Sequence, residues 1–286
     1  MTIKTILTFV DLPCDICGSE KSVELLPMYG TAYHECQQCG LIYLRPMIDN
    51  TAELNEVFYT REIDKYVKKI KSKKKRYHRK LQQFNEFRQT GRLLEIGCNT
   101  GALLSVASDI GWDAKGVDLS TTASAFAREE MKLDVFTGTV EEAGYPDDFF
   151  DVIYTNATLE HIKHPLSLLR ESLRILRPGG VFYADTVNWD SYTRRLLGVG
   201  WRLLDPRDHV HLFTPENVKS LSQYTGFEHL KTWTTGFRAE PNANEAERIH
   251  KVAFYWRWLK GPISLLTRFT KKGDSIEFLL QKPEAD

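Results

Sequence analysis

The sequence carries its strongest evidence about architecture at residues 92–101, which read RLLEIGCNTG. An apolar run ends at the acidic Glu95, a turn containing Gly97 and Gly101 follows, and a helical pattern begins at Ala102. This order predicts a strand, a tight loop and the start of a helix. Both glycines lack a Cβ, and the helix N-terminus offers unpaired N–H groups to a polar ligand. We therefore expect a nucleotide-like ligand at this turn.

A second strand supports this expectation, because residues 113–120 include a carboxylate at Asp118, where the strand ends. A β-α-β unit places such an acid within reach of ribose hydroxyls. The loop pattern, E-x-G-x-x-x-G, differs from the G-x-G-x-x-G of dinucleotide enzymes. It resembles the loop of the class I S-adenosylmethionine (SAM)-dependent methyltransferases. A Rossmann-like loop that binds NAD, or that binds nothing, is the alternative.

Further motifs strengthen the resemblance, because they follow in the expected order between residues 90 and 190. Thr139-Val140 follows the third strand, where the family contacts adenine, although many members have Asp at the first of these positions. Leu159-Glu160-His161 follows the fourth strand, where the family lines the methyl-transfer site. Residues 177–180, Arg-Pro-Gly-Gly, match the turn that the family has before strand five. An ordered set of this kind gives each motif the context it needs.

The resemblance implies a set of cofactor contacts in this chain. In the family, the glycine loop passes under the methionine part of SAM, and the acid after strand two binds the ribose. The family often has glycine where Asn99 stands here, which is a mild departure. The implied SAM-binding residues are Glu95, Gly97, Cys98, Asn99, Gly101, Asp118, Leu119, Thr139, Val140 and Asn156.

Two matched pairs of cysteines stand near the N-terminus, Cys14-x-x-Cys17 and Cys36-x-x-Cys39, with a glycine after each pair. Four thiolates at this spacing predict tetrahedral zinc, and a closed four-cysteine site makes that metal structural. A redox pair or buried free thiols is the alternative. Five cysteines without a secretory signal favour a reducing, cytoplasmic compartment. The sequence has no run of eighteen apolar residues, so no membrane-spanning helix is predicted.

A long helix is expected from residue 51 to about residue 88, because apolar side chains recur there at helical spacing. Between Arg61 and Lys80 it carries eleven Lys or Arg residues and only two acids. Such a run can bind the phosphates of a nucleotide-linked, lipid-linked or RNA acceptor. The alternative is that it is a solvated helix face. The net charge of the 286-residue chain is zero, so no global field favours nucleic acid or a membrane.

The predicted fold is α/β. It is a Rossmann-like seven-stranded methyltransferase sheet with helices on both faces, plus a small N-terminal zinc ribbon with four cysteine ligands. We divide the chain into a ribbon at 1–50, a basic linker helix at 51–89 and a methyltransferase domain at 90–286. Strands six and seven are expected at 231–237 and 275–282, with a helical insert at about 241–270 between them. The aromatic residues of the insert fit burial, a lid, a dimer contact or a membrane-surface contact.

The resemblance implies an enzyme that transfers a methyl group from SAM to a small-molecule acceptor. Zinc ribbons fused to this fold resemble the sugar methyltransferases of bacterial surface-glycan and natural-product pathways. Our first choice of acceptor is therefore a hydroxyl or carbon of a nucleotide-linked sugar. An RNA methyltransferase is the alternative; the basic helix supports it, and the zero net charge weighs against it. A non-catalytic binding module is disfavoured by the intact glycine loop and Asp118.

Three histidines are candidates for the general base that removes a proton from the acceptor. His161 follows strand four, whereas His209 and His211 precede the helix that Thr214 and Pro215 open. His209 and His211 alternate, so an extended chain points them to opposite sides. We favour His209, which follows Asp208, and expect His161 to shape the site beside SAM. The alternative is that His209 or His211 only hydrogen-bonds the loop.

Overall fold

The computed structural model describes residues 7–49, 51–237, 267 and 269–284. Its N-terminal part, the ribbon, is a small antiparallel unit in which the two cysteine pairs flank short strands. These strands are β1 (Phe9–Val10), β2 (Ser22–Met28), β3 (Thr31–Cys36), β4 (Ile42–Arg45) and β5 (Met47–Ile48). β3 pairs with both β2 and β4, and β1 pairs with β5.

A seven-stranded sheet forms the centre of the protein. In chain order, the strands after the ribbon are β6 (Arg92–Ile96), β7 (Asp113–Asp118), β8 (Asp134–Thr137), β9 (Phe150–Asn156), β10 (Leu176–Val187), β11 (His211–Leu212), β12 (Glu228–Thr235) and β13 (Ser275–Gln281). The sheet has the order β12-β13-β10-β9-β6-β7-β8, and β11 lies outside it. β13, the strand expected at 275–282, runs antiparallel to both of its neighbours. This confirms the Rossmann-like methyltransferase sheet.

Helices cover both faces of the sheet. They are α1 (Thr51–Gln82), α2 (Ala102–Asp109), α3 (Thr121–Glu129), α4 (Pro165–Ile175), α5 (Tyr192–Leu197) and α6 (Pro215–Thr225). On one face, Leu81 of α1 and Leu104 of α2 share an apolar core with the sheet. On the other, Leu169 of α4 and Val218 of α6 share a second core with the sheet. Within the described residues, no helix combines the length and apolarity that a bilayer span requires.

Helix α1 docks on the sheet partly through its basic side chains. Lys80 forms an ion pair with Glu277 of β13, and its ammonium lies 4.3 Å from the ring centroid of Tyr183. Lys74 pairs with Asp109 at 3.2 Å. These two cations of the basic run therefore form ion pairs within the fold.

The ribbon and the methyltransferase sheet share one apolar core. Cys14 and Leu41 of the ribbon belong to the same buried cluster as Phe150 of β9 and Val218 of α6. Strand β11 also pairs with β4, so a late segment of the chain becomes an edge strand of the ribbon sheet. A division at residue 50 therefore separates the ribbon in sequence, whereas in space it packs as one body with the sheet.

Several boundaries differ from the sequence-based expectations. Helix α1 ends at Gln82, and a separate 3₁₀ turn covers Asn85–Phe87. The Arg-Pro-Gly-Gly segment lies inside β10, where the register shifts between Leu176 and Val181, instead of forming a turn before it. Apart from residues 267, 269 and 270, the insert predicted at 241–270 lies outside the described residues.

Candidate active site

The loop between β6 and α2 holds three residues in the left-handed region, with φ of 75° at Gly97, 51° at Asn99 and 75° at Gly101. A Cβ on Gly97 would overlap the Thr158 side chain, so only glycine admits the close approach of the loop after β9. A Cβ on Gly101 would overlap Leu133, so that glycine serves internal packing. The loop lies at the carboxyl ends of the parallel strands, where such sheets bind ligands.

Asp118, at the end of β7, ties the second strand to this loop. Its Oδ2 accepts the N–H of Asn99 at 2.7 Å, and its Oδ1 accepts the N–H of Ser120 at 2.9 Å. Burial raises the pKa of Asp118, and these two N–H groups partly oppose that rise. The adjacent Leu119 is 54% exposed, which leaves an apolar side chain open to a ligand beside the carboxylate.

Glu95, near the end of β6, carries an unsatisfied polar atom. The residue is buried, and its Oε2 has no hydrogen-bond partner among the described residues. Burial raises the pKa of Glu95 well above its usual range, and the charge of Asp118 adds to the rise. A buried carboxylate oxygen without a donor is costly, so the site suits a ligand that brings an N–H or ammonium group. SAM, whose methionine part carries an ammonium, fits this requirement.

Other residues of the predicted SAM set make more limited contributions. The Cys98 thiol lies in the core, where its Sγ would be 2.7 Å from a Cβ on Gly116, so a ligand can reach only its backbone. The Thr139 hydroxyl accepts the N–H of Glu142 at 3.2 Å, while Glu142 accepts the N–H of Thr139 at 2.8 Å. Val140 is buried. Asn156 is partly buried at the end of β9, beside the loop that approaches Gly97.

Glu56 of α1 is a contact that the sequence analysis missed. Its Oε1 accepts both hydroxyls of Thr121 and Thr122, at 2.8 and 2.7 Å, at the start of α3. Burial alone would raise the pKa of Glu56. The hydroxyl and N–H donors at the start of α3 outweigh burial and hold this pKa below its usual value. Helix α1 is thereby fixed next to Asp118. No local pattern marks this contact, because it joins residues far apart in the chain.

His161, in the turn after β9, pairs with Asp208. His161 Nδ1 donates to the backbone oxygen of Asp208 at 2.7 Å and lies 2.9 Å from its Oδ1. Burial alone would lower the pKa of His161, but the hydrogen bond to Asp208 and the charge of Glu160 raise it to about 9. The neighbouring Glu160 is buried, and its Oε2 accepts the Thr186 hydroxyl at 2.7 Å. His161 is therefore a cation at neutral pH.

His209 lies beside this pair, with its ring centroid 4.9 Å from that of His161. Its Nδ1 donates to the backbone oxygen of Leu203 at 2.7 Å, so in the neutral ring Nε2 carries the lone pair. Asp208 lies closer to His161 than to His209, whose Nε2 is 3.7 Å from Oδ2. Ligand-capable atoms of Glu160, His161 and His209 lie within 4.8 Å of one another.

His211 occupies a different environment from His209. It is fully buried in β11, its Nδ1 donates to the backbone oxygen of Ile162 at 2.8 Å, and its Nε2 has no partner among the described residues. Burial lowers the pKa of His211 to about 4. An acceptor cannot reach this neutral imidazole, whose contact instead joins β11 to the chain after His161.

The four ribbon cysteines converge as their spacing predicts. Cys14 Sγ lies 3.4 Å from Cys39 Sγ, Cys17 Sγ lies 3.5 Å from Cys36 Sγ, and all four sulfurs fall within 4.8 Å of one another. Tetrahedral zinc with Zn–S bonds of about 2.3 Å separates its sulfurs by about 3.8 Å, close to these distances. Burial raises the pKa of Cys36, but hydrogen bonds from the N–H groups of Cys39 and Gln38 lower it below its usual value. The donor set fits structural zinc.

A family profile described as a methyltransferase domain matches residues 65–232, more than half of the chain. The ubiquinone biosynthesis O-methyltransferase of Ruegeria pomeroyi is 29% identical over 148 residues, which cover 48% of this chain and 60% of that protein. The corresponding enzyme of Aromatoleum aromaticum is 30% identical over 149 residues, covering 48% and 64%. The malonyl-[acyl-carrier protein] O-methyltransferase of Enterobacter lignolyticus is 28% identical over 153 residues, covering 52% and 60%. The chain thus spans less than two thirds of the length of each of these relatives.

Solved structures show the same fold. A SAM-dependent methyltransferase from Thermotoga maritima superposes with a TM-score of 0.53 at 20% identity, over 78% of this chain and 97% of that one. A SAM-dependent methyltransferase from Archaeoglobus fulgidus gives a TM-score of 0.51 at 21% identity, over 73% and 94%. At this identity the similarity establishes the architecture alone.

Proposed function

Because the chain belongs to the methyltransferase-domain family of class I SAM-dependent enzymes, we propose that it transfers a methyl group from SAM to a small-molecule acceptor. The observation that carries the proposal is the shared position of two groups of residues at one edge of the sheet. Gly97 and Asp118 form the cofactor side. Thr158, which approaches Gly97, begins the turn that carries His161 on the acceptor side.

The cofactor side offers two carboxylates with different roles. Glu95 would accept the ammonium of the methionine part, because its buried Oε2 lacks a donor. Asp118 would accept ribose hydroxyls, since each of its oxygens keeps a lone pair beyond the N–H it already holds. The exposed Leu119 would cover the adenine. SAM, when bound, supplies a sulfonium methyl whose leaving group is a neutral thioether.

The acceptor side supplies proton removal. We propose that Nε2 of His209 takes the proton of an acceptor hydroxyl as its oxygen attacks the methyl carbon in line. His161, held as a cation by Asp208, would stabilise negative charge on that oxygen. His211 would support the loop from its buried position. The catalytic set proposed is thus His209 and His161, with His211 in a positioning role.

A hydroxyl or carbon of a nucleotide-linked sugar, or of a similar metabolite, is our proposed acceptor. The relatives' names refer to small-molecule and carrier-linked acceptors, which supports the class. The choice of a sugar rests on the resemblance of a ribbon-fused methyltransferase to sugar enzymes. The basic helix gives an RNA acceptor less support, because Lys74 and Lys80 are committed to ion pairs within the fold.

A mass-shift screen tests the proposed function. The protein is incubated with SAM and a panel of nucleotide sugars, and mass spectrometry looks for a gain of about 14 Da, one methylene. Unfractionated RNA serves as the competing substrate, and the absorbance ratio of the purified protein reports retained RNA. Methylation of RNA and of no nucleotide sugar would replace this proposal by the RNA alternative.

A further inference from the structure

The ribbon contacts the segment that carries His209 through its main chain. Strand β11 pairs with β4, with His211 opposite Tyr43 and Leu212 opposite Ile42. Immediately before this ladder, the N–H of Leu44 donates to the carbonyl of Val210 at 2.9 Å. The backbone of residues 210–212 is therefore an extension of the ribbon sheet.

Tyr33 of β3 extends this contact to His209 itself. Its side chain is fully buried, and its hydroxyl donates to the carbonyl of His209 at 2.8 Å. Its ring packs against Trp189, with the two ring centroids 5.9 Å apart. Burial, together with the charges of Asp205 and Asp208, raises the pKa of Tyr33 well above its usual value, so the hydroxyl keeps its proton and remains a donor.

The same peptide unit is held from its other side. The carbonyl of His209 accepts from Tyr33, while the N–H of Val210 donates to the backbone oxygen of Glu160 at 2.8 Å. One bond comes from the ribbon and the other from the segment after β9. Two opposed hydrogen bonds on one planar amide fix its orientation, and with it the direction in which the His209 side chain leaves the backbone.

We propose that Tyr33 is a positioning residue, through which the ribbon sets the His209 imidazole for proton removal from the acceptor. The inference rests on the proposed function for the role of His209. Under this proposal, the ribbon contributes Tyr33 to the acceptor half of the active site. The SAM half, built from β6, β7 and their loops, makes no such contact with Tyr33 among the described residues.

Tyr33→Phe removes only the donor, and Tyr43→Phe is a matched control. Tyr43 is equally buried in the adjacent ribbon strand, and its hydroxyl makes no hydrogen bond to His209 among the described residues. Histidine side-chain NMR on ¹⁵N-labelled protein with bound S-adenosylhomocysteine reports the His209 Nδ1–H that donates to Leu203. His209→Gln assigns that signal. We expect the His209 Nδ1–H signal to shift or disappear in Tyr33→Phe and to persist in Tyr43→Phe. The affinity for S-adenosylhomocysteine should stay unchanged in both variants.

Kinetics with the nucleotide sugar found in the mass-shift screen give the second measurement. Tyr33→Phe should lower kcat about tenfold and leave the KM for SAM unchanged, because a misplaced base loses rate. In a His209→Ala background the same substitution should cost nothing further. An unchanged His209 signal, or a tenfold loss that persists in His209→Ala, overturns the inference. If the parent transfers no methyl group, the proposed function fails, and the NMR signal still decides whether Tyr33 positions His209.

Discussion

The carboxylate of Asp118 accepts the backbone N–H of Asn99 at 2.7 Å, and this hydrogen bond joins the end of β7 to the glycine loop. The acid that is expected to bind the ribose thus also holds the left-handed turn that Asn99 occupies. Loop shape and the proposed ribose recognition therefore depend on the same side chain.

Replacing Asp118 by alanine should weaken SAM binding. Loss of a charged acceptor for the ribose hydroxyls costs about 1.5–3 kcal/mol, which is a roughly tenfold to hundredfold rise in Kd. Titration calorimetry with SAM measures the change. Asp113→Ala, an exposed acid at the opposite end of the same strand, should bind SAM like the parent. Equal affinity in the Asp118 and Asp113 variants would remove Asp118 from the cofactor site.

Gly97→Ala should abolish SAM binding, because the added Cβ overlaps Thr158 and displaces the loop after β9. Gly144→Ala is the control, since Gly144 also has a positive φ, of 61°, but a Cβ added there would meet no atom within 4 Å. It carries the left-handed strain of about 1 kcal/mol without the overlap. We expect both variants to lose some stability in thermal melts and only Gly97→Ala to lose SAM. Loss of SAM binding in both variants would show that backbone strain causes the loss, and not the overlap of the new Cβ with Thr158.

The purified protein should contain one zinc ion per chain by elemental analysis. Cys36→Ser should lose the metal and lower the melting temperature of the whole chain by about 5–10 °C, because the ribbon cysteines share a core with Phe150 and Val218. Cys98→Ala, which changes the one cysteine outside the cluster, should keep the zinc. Protein prepared without chelator that contains no zinc would rule out the site.

The ion pair of His161 and Asp208 predicts a pH dependence of stability. The folded pKa of His161, about 9, lies above the ordinary value of 6.5, so the folded state binds the proton more tightly than the unfolded state. The resulting stabilisation is complete below pH 6.5 and is lost as the pH rises through 9. Urea unfolding across this window should show the loss in the parent and a flatter profile in Asp208→Asn. Asp205→Asn, whose carboxylate pairs with Arg207 instead, should keep the parent slope. A steep decline in Asp208→Asn would assign the slope to another group.

Local patterns predicted the features that depend on residues close in sequence. The loop after β6 places Gly97 and Gly101 at positive φ, as the glycines required. Thr214 caps α6 with Pro215 at its first position. Each cysteine pair closes a local turn, in which the N–H of Gly18 donates to Cys14 and the N–H of Gly40 donates to Cys36. The spacing of the two pairs also predicted that all four sulfurs meet. The hydrogen bonds between Thr139 and Glu142 follow a T-x-x-E pattern that a closer inspection of the sequence would have identified.

Partners that are distant in the chain could not be predicted from these patterns. Asp208 comes directly before His209 in sequence, yet its carboxylate lies closer to His161, because the loop folds back on the turn after β9. The pairing of β11 with β4 is another such case, since a two-residue strand has no periodicity of its own. Such contacts are set by tertiary packing, to which a single sequence gives no direct access.

Titration calorimetry of the unmodified protein with SAM, S-adenosylhomocysteine and NAD tests the central claim most directly. We predict that SAM and S-adenosylhomocysteine each bind with one molecule per chain and that NAD gives no heat of binding. Binding of NAD with no heat from SAM would contradict the account and assign the glycine loop to the dinucleotide alternative.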